Sequence, residues 1–120
     1  MSREGGLIAW QWRDYGRNHT DKLSLVLHMV GVPMFIAGTL AAFRGLVYAN
    51  WLGVAAALVV VVVGFALQGI GHKREAEQPV PFEGPADFVA RIFTEQFVTF
   101  PRFVLTGHWL RHLAGVRSKE

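Results

Sequence analysis

The sequence contains no cysteine among its 120 residues, which excludes disulfide bonds, thiolate metal sites and a thiol nucleophile. Charged residues make up only 18% of the chain, below the roughly 25% that is typical of soluble domains. The basic residues are dispersed rather than gathered in one run, so we expect no nucleic-acid partner. Phosphate-binding glycine loops and the Gly-x-Ser-x-Gly motif of hydrolases are also absent. The length predicts a single domain over residues 1–120.

Hydrophobic residues, by contrast, make up 52% of the chain and are concentrated in two uncharged runs, residues 23–43 and 51–70. A helix of about 20 apolar residues crosses a hydrocarbon core of roughly 30 Å, so both runs predict membrane-spanning helices. Pro33 should kink the first of these helices because it removes a backbone hydrogen bond. The alternative is a soluble bundle with unusually apolar core helices.

The connection between the two runs, residues 44–50, is short enough to predict an antiparallel hairpin. Basic residues collect beyond the open end of this hairpin: Arg3, Arg13, Arg17, Lys22, Lys73 and Arg74. The positive-inside rule therefore places both termini in the cytoplasm, at a bacterial inner membrane or the endoplasmic reticulum. A hairpin alone leaves much helix surface without protein partners, which is compatible with a homo-oligomer.

A proline-rich loop follows the second run, and residues 87–100 and 103–113 then show helical periodicity. We expect Pro101 to end or kink the first of these helices, and Arg91 and Glu95 to face away from its apolar side. Both segments are too short to cross a bilayer and fit amphipathic helices at the membrane interface. The predicted fold is an all-α integral membrane hairpin with additional interfacial helices.

Three histidines collect at the open end of the predicted hairpin: His19 before the first run, His28 inside it, and His72 after the second. Imidazole is a ligand for transition metals, and polar groups within membrane helices are candidates for functional sites. His19 and His28 are nine residues apart and would lie on opposite faces of one helix. A shared metal therefore requires the helix to start after His19. The alternative is three separate interfacial histidines that are hydrogen-bonded to the backbone.

Other side chains are weaker candidates for the same metal. Glu75 follows the last of the three histidines and could complete the combination of histidines and one carboxylate found in non-haem Fe(II) oxygenases. Asp21 is a second candidate carboxylate. His108 and His112 have the i,i+4 spacing of a two-histidine metal site, and His112 is the candidate ligand of this pair.

Two short motifs point to a family. The first consists of Tyr15, Asn18, His19, His28, Gly31 and Pro33. The second is Gln-Gly-Ile-Gly-His at residues 68–72, which is followed by the carboxylate of Glu75 and a proline-rich loop. In order and placement, these motifs resemble those of the small fungal and bacterial family typified by the 2-hydroxy fatty acid dioxygenase of fatty-acid α-oxidation.

This resemblance implies an Fe(II)-dependent membrane enzyme that uses O₂ to shorten a long-chain 2-hydroxy fatty acid by one carbon. His19, His28 and His72 would be its catalytic metal ligands, and Lys73 and Arg74 could pair with the substrate carboxylate. The residues themselves leave alternatives open. These are a haem protein with two axial histidines, a zinc site for hydrolysis, and a structural or assembly membrane protein without a metal.

Overall fold

The computed structural model describes residues 5–115, and this part of the chain is all-α, which confirms the predicted fold class. Within this range the helices are α1 (Gly6–Tyr15), α2 (Lys22–Val47), α3 (Trp51–Arg74), α4 (Pro85–Thr94), α5 (Phe100–Leu105) and α6 (His108–Leu113). A 3₁₀ turn over Gly16–Asn18 follows α1, and a π-helical turn over Glu95–Thr99 joins α4 to α5. Arg3, one of the basic residues behind the predicted orientation, lies outside the described residues.

The two long helices, α2 and α3, form the predicted hairpin. They are joined by residues 48–50, where Ala49 adopts a left-handed conformation with a φ of 53°. The side chain of Asn50 accepts a hydrogen bond from the Gly53 N–H and so caps the start of α3. α2 continues as one helix through Pro33. Both helices are long and apolar enough to cross a membrane, with mean hydropathies of 1.9 and 2.4.

Glycines let the two long helices approach closely. A Cβ atom on Gly31 would lie 2.5 Å from the carbonyl oxygen of Gly64, and one on Gly64 would lie 2.7 Å from that of Gly31. Small residues allow such contacts between membrane helices. Gly71 likewise faces Ser24, whose Oγ would lie 2.8 Å from an added Cβ. The start of α2 is thereby held against the end of α3, where two of the three histidines lie.

The outer surface of the hairpin is apolar. Val59 and Val62 expose 61% and 65% of their surface, and exposed large apolar side chains recur along both long helices. Only 17% of the most apolar stretch of α3 is buried. A core helix of a soluble bundle would bury its apolar residues, so these exposures favour a membrane hairpin over the soluble alternative.

The C-terminal helices differ from the sequence expectation at Pro101. The chain stays helical from α4 through the π turn into α5, because the Phe100 N–H donates to the carbonyl oxygen of Glu95, five residues earlier. Pro101 lies in the first turn of α5, directly after the π turn, and so within this continuous helical stretch. A π turn adds one residue to the helix and changes which side chains share a face, and such turns are frequent at functional sites.

α4 and the π turn pack alongside the hairpin. The ring of Phe93 lies 5.2 Å from that of Phe35 in α2, measured between centroids. Gln68 in α3 and Gln96 in the π turn exchange two amide hydrogen bonds of 2.8 Å. Both amides are buried, and each satisfies the other, as buried polar groups require. This pair fixes the π turn against the C-terminal half of α3.

Candidate metal centre

Four side chains meet at the open end of the hairpin. His19, His28, His72 and Glu95 each offer one ligand atom, and all four atoms lie within 4.8 Å of one another. The centroids of the three imidazole rings are 4.7 to 5.0 Å apart. We call these four residues the His₃Glu cluster.

The start of α2 determines how His19 and His28 come together. α2 begins at Lys22, and the carboxylate of Asp21 caps it by accepting a 3.0 Å hydrogen bond from the Ser24 N–H. His19 therefore lies in the irregular segment before the helix, as a shared site requires. Its ring meets that of His28 edge to face rather than lying on the opposite side of a continuous helix.

Backbone hydrogen bonds set the tautomers of two of these histidines. The Nδ1 atom of His19 lies 2.7 Å from the carbonyl oxygen of Tyr15, and that of His28 lies 2.8 Å from the carbonyl oxygen of Ser24. A carbonyl oxygen only accepts, so each Nδ1 carries the hydrogen and each Nε2 presents a lone pair. This is the tautomer and second hydrogen bond seen in histidines that bind metals.

These lone pairs converge on further acceptors. The Nε2 of His19 lies 3.4 Å from Oε2 of Glu95, and the Nε2 of His28 lies 3.8 Å from the same oxygen. The Nε2 atoms of His28 and His72 are 3.2 Å apart. The buried Nε2 of His19 has no hydrogen-bond partner in the described structure. Acceptors crowded in this way repel one another unless a cation or a proton lies between them, so the residues fit a metal ion.

Tyr15 supports the carboxylate of the cluster. Its hydroxyl donates a 2.7 Å hydrogen bond to Oε2 of Glu95, and its ring stacks on His19 with 3.8 Å between centroids. Burial, followed by the charge and hydrogen bond of Glu95, raises the pKa of Tyr15 well above its usual value. The tyrosine therefore stays neutral and remains a donor.

The carboxyl of Glu95 is held in its ionised form. Burial alone would raise its pKa, but protons carried by the surrounding imidazoles, His19 foremost, outweigh that effect and lower the pKa to about 2. Positive charge beside Glu95, whether from protons or from a metal ion, therefore keeps its carboxylate negatively charged inside the cluster.

A cavity of about 170 Å³ opens beside the His₃Glu cluster. His72 and Glu95 contribute to one part of its wall. The rest of the wall is mainly apolar and includes Trp10, Phe65, Gly69, Val80, Phe82 and Ile92. Arg91 also lines it and anchors the loop between α3 and α4, donating hydrogen bonds to the carbonyl oxygens of Val80 (2.6 Å) and Pro81 (3.1 Å).

Two candidate ligands from the sequence lie outside the His₃Glu cluster. The buried carboxylate of Glu75 accepts hydrogen bonds from the backbone N–H groups of Thr20 and Asp21, at 2.9 and 3.1 Å. The Nδ1 of His112 donates a 2.8 Å hydrogen bond to the carbonyl oxygen of His19. Both side chains hold the backbone of the segment that carries His19, and neither is among the four converging groups.

The expected substrate-binding cations lie at the rim of the hairpin. Arg74 donates a 3.0 Å hydrogen bond to the carboxylate of Asp21, which makes Asp21 a helix cap and an ion-pair partner. Lys73 is exposed in the last turn of α3. Neither Lys73 nor Arg74 lines the cavity, whereas the buried Arg91 does.

Glu95 is the site residue that sequence reasoning missed. The periodicity of residues 87–100 placed it and Arg91 away from the apolar side, whereas the structure buries Arg91 and brings Glu95 into the His₃Glu cluster. One signal was present, because Glu95 is the only acidic residue between Asp87 and Glu120. A lone carboxylate in an apolar segment is costly to bury and therefore marks a candidate site.

Comparison with known proteins identifies one family. The family model described as 2-hydroxy-palmitic acid dioxygenase Mpo1-like matches residues 7–107. This range contains all four residues of the His₃Glu cluster and leaves His112 outside. No curated protein and no solved structure gives a significant match.

Proposed function

Since the chain belongs to the 2-hydroxy-palmitic acid dioxygenase Mpo1-like family, we propose that it is an Fe(II)-dependent dioxygenase of 2-hydroxy fatty acids. The reaction uses O₂ and yields a fatty acid one carbon shorter. The observation that carries this proposal is the convergence of three imidazoles and one carboxylate at a buried point beside an apolar cavity.

The residues suit iron of the non-haem type. Nitrogen and carboxylate donors with room for further ligands characterise Fe(II) oxygenases. A bound Fe(II) ion would supply the activation of O₂ and a binding point for the carboxylate and hydroxyl of the substrate. His19, His28, His72 and Glu95 would hold the ion. Metal-ligating histidines usually donate their other N–H to a fixed acceptor, as His19 and His28 do here.

The chain's own residues orient and shield this site. The hydrogen bond from Tyr15 fixes the direction of the Glu95 carboxylate. His19 and Glu95 are largely sequestered from solvent, with 3% and 12% of their side-chain surface exposed. A dry site strengthens electrostatic interactions and protects reactive species from water. Lys73 and Arg74, at the rim, remain candidates for attracting the substrate carboxylate before it enters.

Location in a membrane is part of the proposal. A long-chain 2-hydroxy acid partitions into the bilayer and presents its carboxylate and hydroxyl at the depth of the headgroups. The positive-inside rule places both termini, and so the open end of the hairpin with the His₃Glu cluster, at the cytoplasmic side. The absence of native cysteine makes single-cysteine labelling from either side of the membrane a direct test of this orientation.

Haem binding is the less suitable alternative. Two axial histidines must lie on opposite faces of a porphyrin, whereas here a third imidazole and a carboxylate crowd the same point. Absence of a Soret band in purified protein would agree with this assignment. A zinc enzyme would be active without O₂, so dependence on ferrous iron and on O₂ separates these two possibilities.

The decisive assay measures O₂ uptake and product together. Protein reconstituted anaerobically with Fe(II) should consume O₂ when 2-hydroxypalmitate is added and should release the fifteen-carbon fatty acid. Palmitate, which lacks the hydroxyl, serves as the control substrate. If iron-loaded protein neither consumes O₂ nor shortens the chain, the proposed reaction is wrong.

A further inference from the structure

One face of α3 forms a continuous wall from the His₃Glu cluster into the apolar part of the hairpin. Phe65, Gln68, Gly69 and His72 all line the cavity, and their spacing of three to four residues places them on one helix face. At a rise of 1.5 Å per residue, Phe65 lies about 10 Å along the helix from His72. The wall therefore runs from the polar end of α3 towards its middle.

The facing wall of the cavity is aromatic and aliphatic. Phe82, Val80 and Ile92 line it. Phe88 is not part of the lining but packs edge to face on Phe82 and on Phe65, at 4.9 and 5.8 Å between ring centroids. Cavities that enclose a whole small-molecule ligand measure about 300–1,000 Å³. A volume of about 170 Å³ holds only the reacting end of a long-chain acid. The remainder of such a chain must leave the cavity.

Gly69 marks a gap in this wall. A Cβ atom on Gly69 would meet nothing within 4 Å, whereas a Cβ on any other glycine of α2 or α3 would lie within 2.8 Å of a neighbouring atom. Glycine in a helix interior is less favourable than alanine, and close helix contact explains its presence at positions such as Gly31. No contact explains it at Gly69, which is exposed and borders the cavity.

We propose that Gly69 is the portal through which the alkyl chain of the bound acid passes from the cavity to the outer surface of α3. Beyond Gly69 this surface carries the exposed side chains of Ala66 and Val62, one and two turns further along the helix. Gly69 is then the position that determines tolerance for chain length. The inference rests on the proposed function, since it takes the polar end of the acid to lie at the His₃Glu cluster.

The test compares a long and a short acid in direct binding. Anaerobic Fe(II)-loaded full-length protein is equilibrated with radiolabelled 2-hydroxypalmitate or 2-hydroxybutyrate. Gly69→Leu should weaken binding of the long acid at least tenfold while leaving the short acid within twofold and the iron content unchanged. Ala56→Leu, at an exposed position of α3 that does not line the cavity, is the matched control and should change neither affinity.

Gly69→Ala provides a second variant, because alanine favours the helix and should preserve the fold. It should give a smaller loss for the long acid in the same direction. If both Gly69 variants bind 2-hydroxypalmitate with unchanged affinity, Gly69 is not the portal. An equal loss of affinity for the long and the short acid would refute the portal as well. Wild-type protein that binds neither acid would refute the proposed function and the portal together. If the Gly69 variants lose affinity for 2-hydroxypalmitate but wild-type protein consumes no O₂, the proposed path of the alkyl chain is supported and only the proposed reaction is refuted.

Discussion

Removal of a single hydroxyl tests how the Glu95 carboxylate is held. Tyr15→Phe deletes the donor of the 2.7 Å hydrogen bond to Oε2 of Glu95 but keeps the ring that stacks on His19 and packs on Phe103. We expect the fold to be retained and the affinity for Fe(II) to fall. Outer groups that orient metal ligands typically contribute ten- to hundredfold in metal affinity.

The hydrogen-bond energy gives a similar magnitude. A hydrogen bond to a charged group contributes about 1.5–3 kcal/mol. At about 1.4 kcal/mol for each factor of ten, its loss corresponds to a reduction of roughly ten- to hundredfold in affinity. Tyr15 is buried and the bond itself is partly buried, so water has limited access to replace it. The upper part of this range is therefore the expected outcome.

The measurement is a competition titration of Fe(II) between the protein and a chelator under anaerobic conditions, with thermal unfolding of the metal-free protein alongside. Tyr48→Phe is the matched control, because Tyr48 is the only other tyrosine and is 71% exposed at the hairpin turn. Equal Fe(II) affinities for wild type and both variants would refute the role assigned to Tyr15. A large loss of thermal stability in Tyr15→Phe would indicate a structural role instead.

Four further predictions concern acidic side chains and pH. Glu95→Gln should lose iron on dialysis, whereas Glu75→Ala should keep it. The free energy of unfolding of Glu75→Ala should fall by about 1–3 kcal/mol, because the backbone N–H groups of Thr20 and Asp21 lose their acceptor. Partial burial would raise the pKa of Asp21, but the Ser24 N–H and Arg74 lower it, so its carboxylate stabilises the fold at neutral pH. The stability difference between wild type and Asp21→Ala should therefore shrink as the pH falls below about 4 in thermal unfolding. Fe(II) affinity should decrease as the pH falls in the same competition titration, because protons compete with the metal ion for the imidazole nitrogens.

The gathering of the three histidines was predictable because it depends on local features. Two uncharged runs and a short connection fix a hairpin, and a hairpin sets which residues share a depth. The requirement that α2 begin after His19 follows from the helical period, and Asp21 supplies the cap that makes it so. None of these steps needs knowledge of how distant segments pack.

The position of Glu95 was not predictable in this way. It depends on how a segment more than twenty residues further along the chain packs against α3, through contacts such as the Gln68–Gln96 amide pair. The Glu95 N–H bonds to the carbonyl oxygen of Arg91, so these two side chains share a helix face, and both line the cavity. Periodicity alone assigned this polar face to the outside, because it carries no information on what the face packs against.

The roles of Glu75 and His112 show the same limit. Both are polar and both lie close to the predicted site in sequence or by spacing, so residue type alone made them candidate ligands. In the structure each is instead hydrogen-bonded to backbone atoms of residues 19–21. Residue type and spacing cannot distinguish a ligand from a group that holds the ligand's backbone, because both require a buried polar side chain near the site.

X-ray absorption at the iron edge tests the central claim most directly. Protein carrying one Fe(II) per chain should show only nitrogen and oxygen donors, with outer-shell scattering from three imidazoles. His28→Ala should lose one of these imidazoles or fail to retain the iron. A wild-type spectrum with fewer than two imidazoles, or an unchanged spectrum in His28→Ala, would contradict a metal centre built from His19, His28, His72 and Glu95.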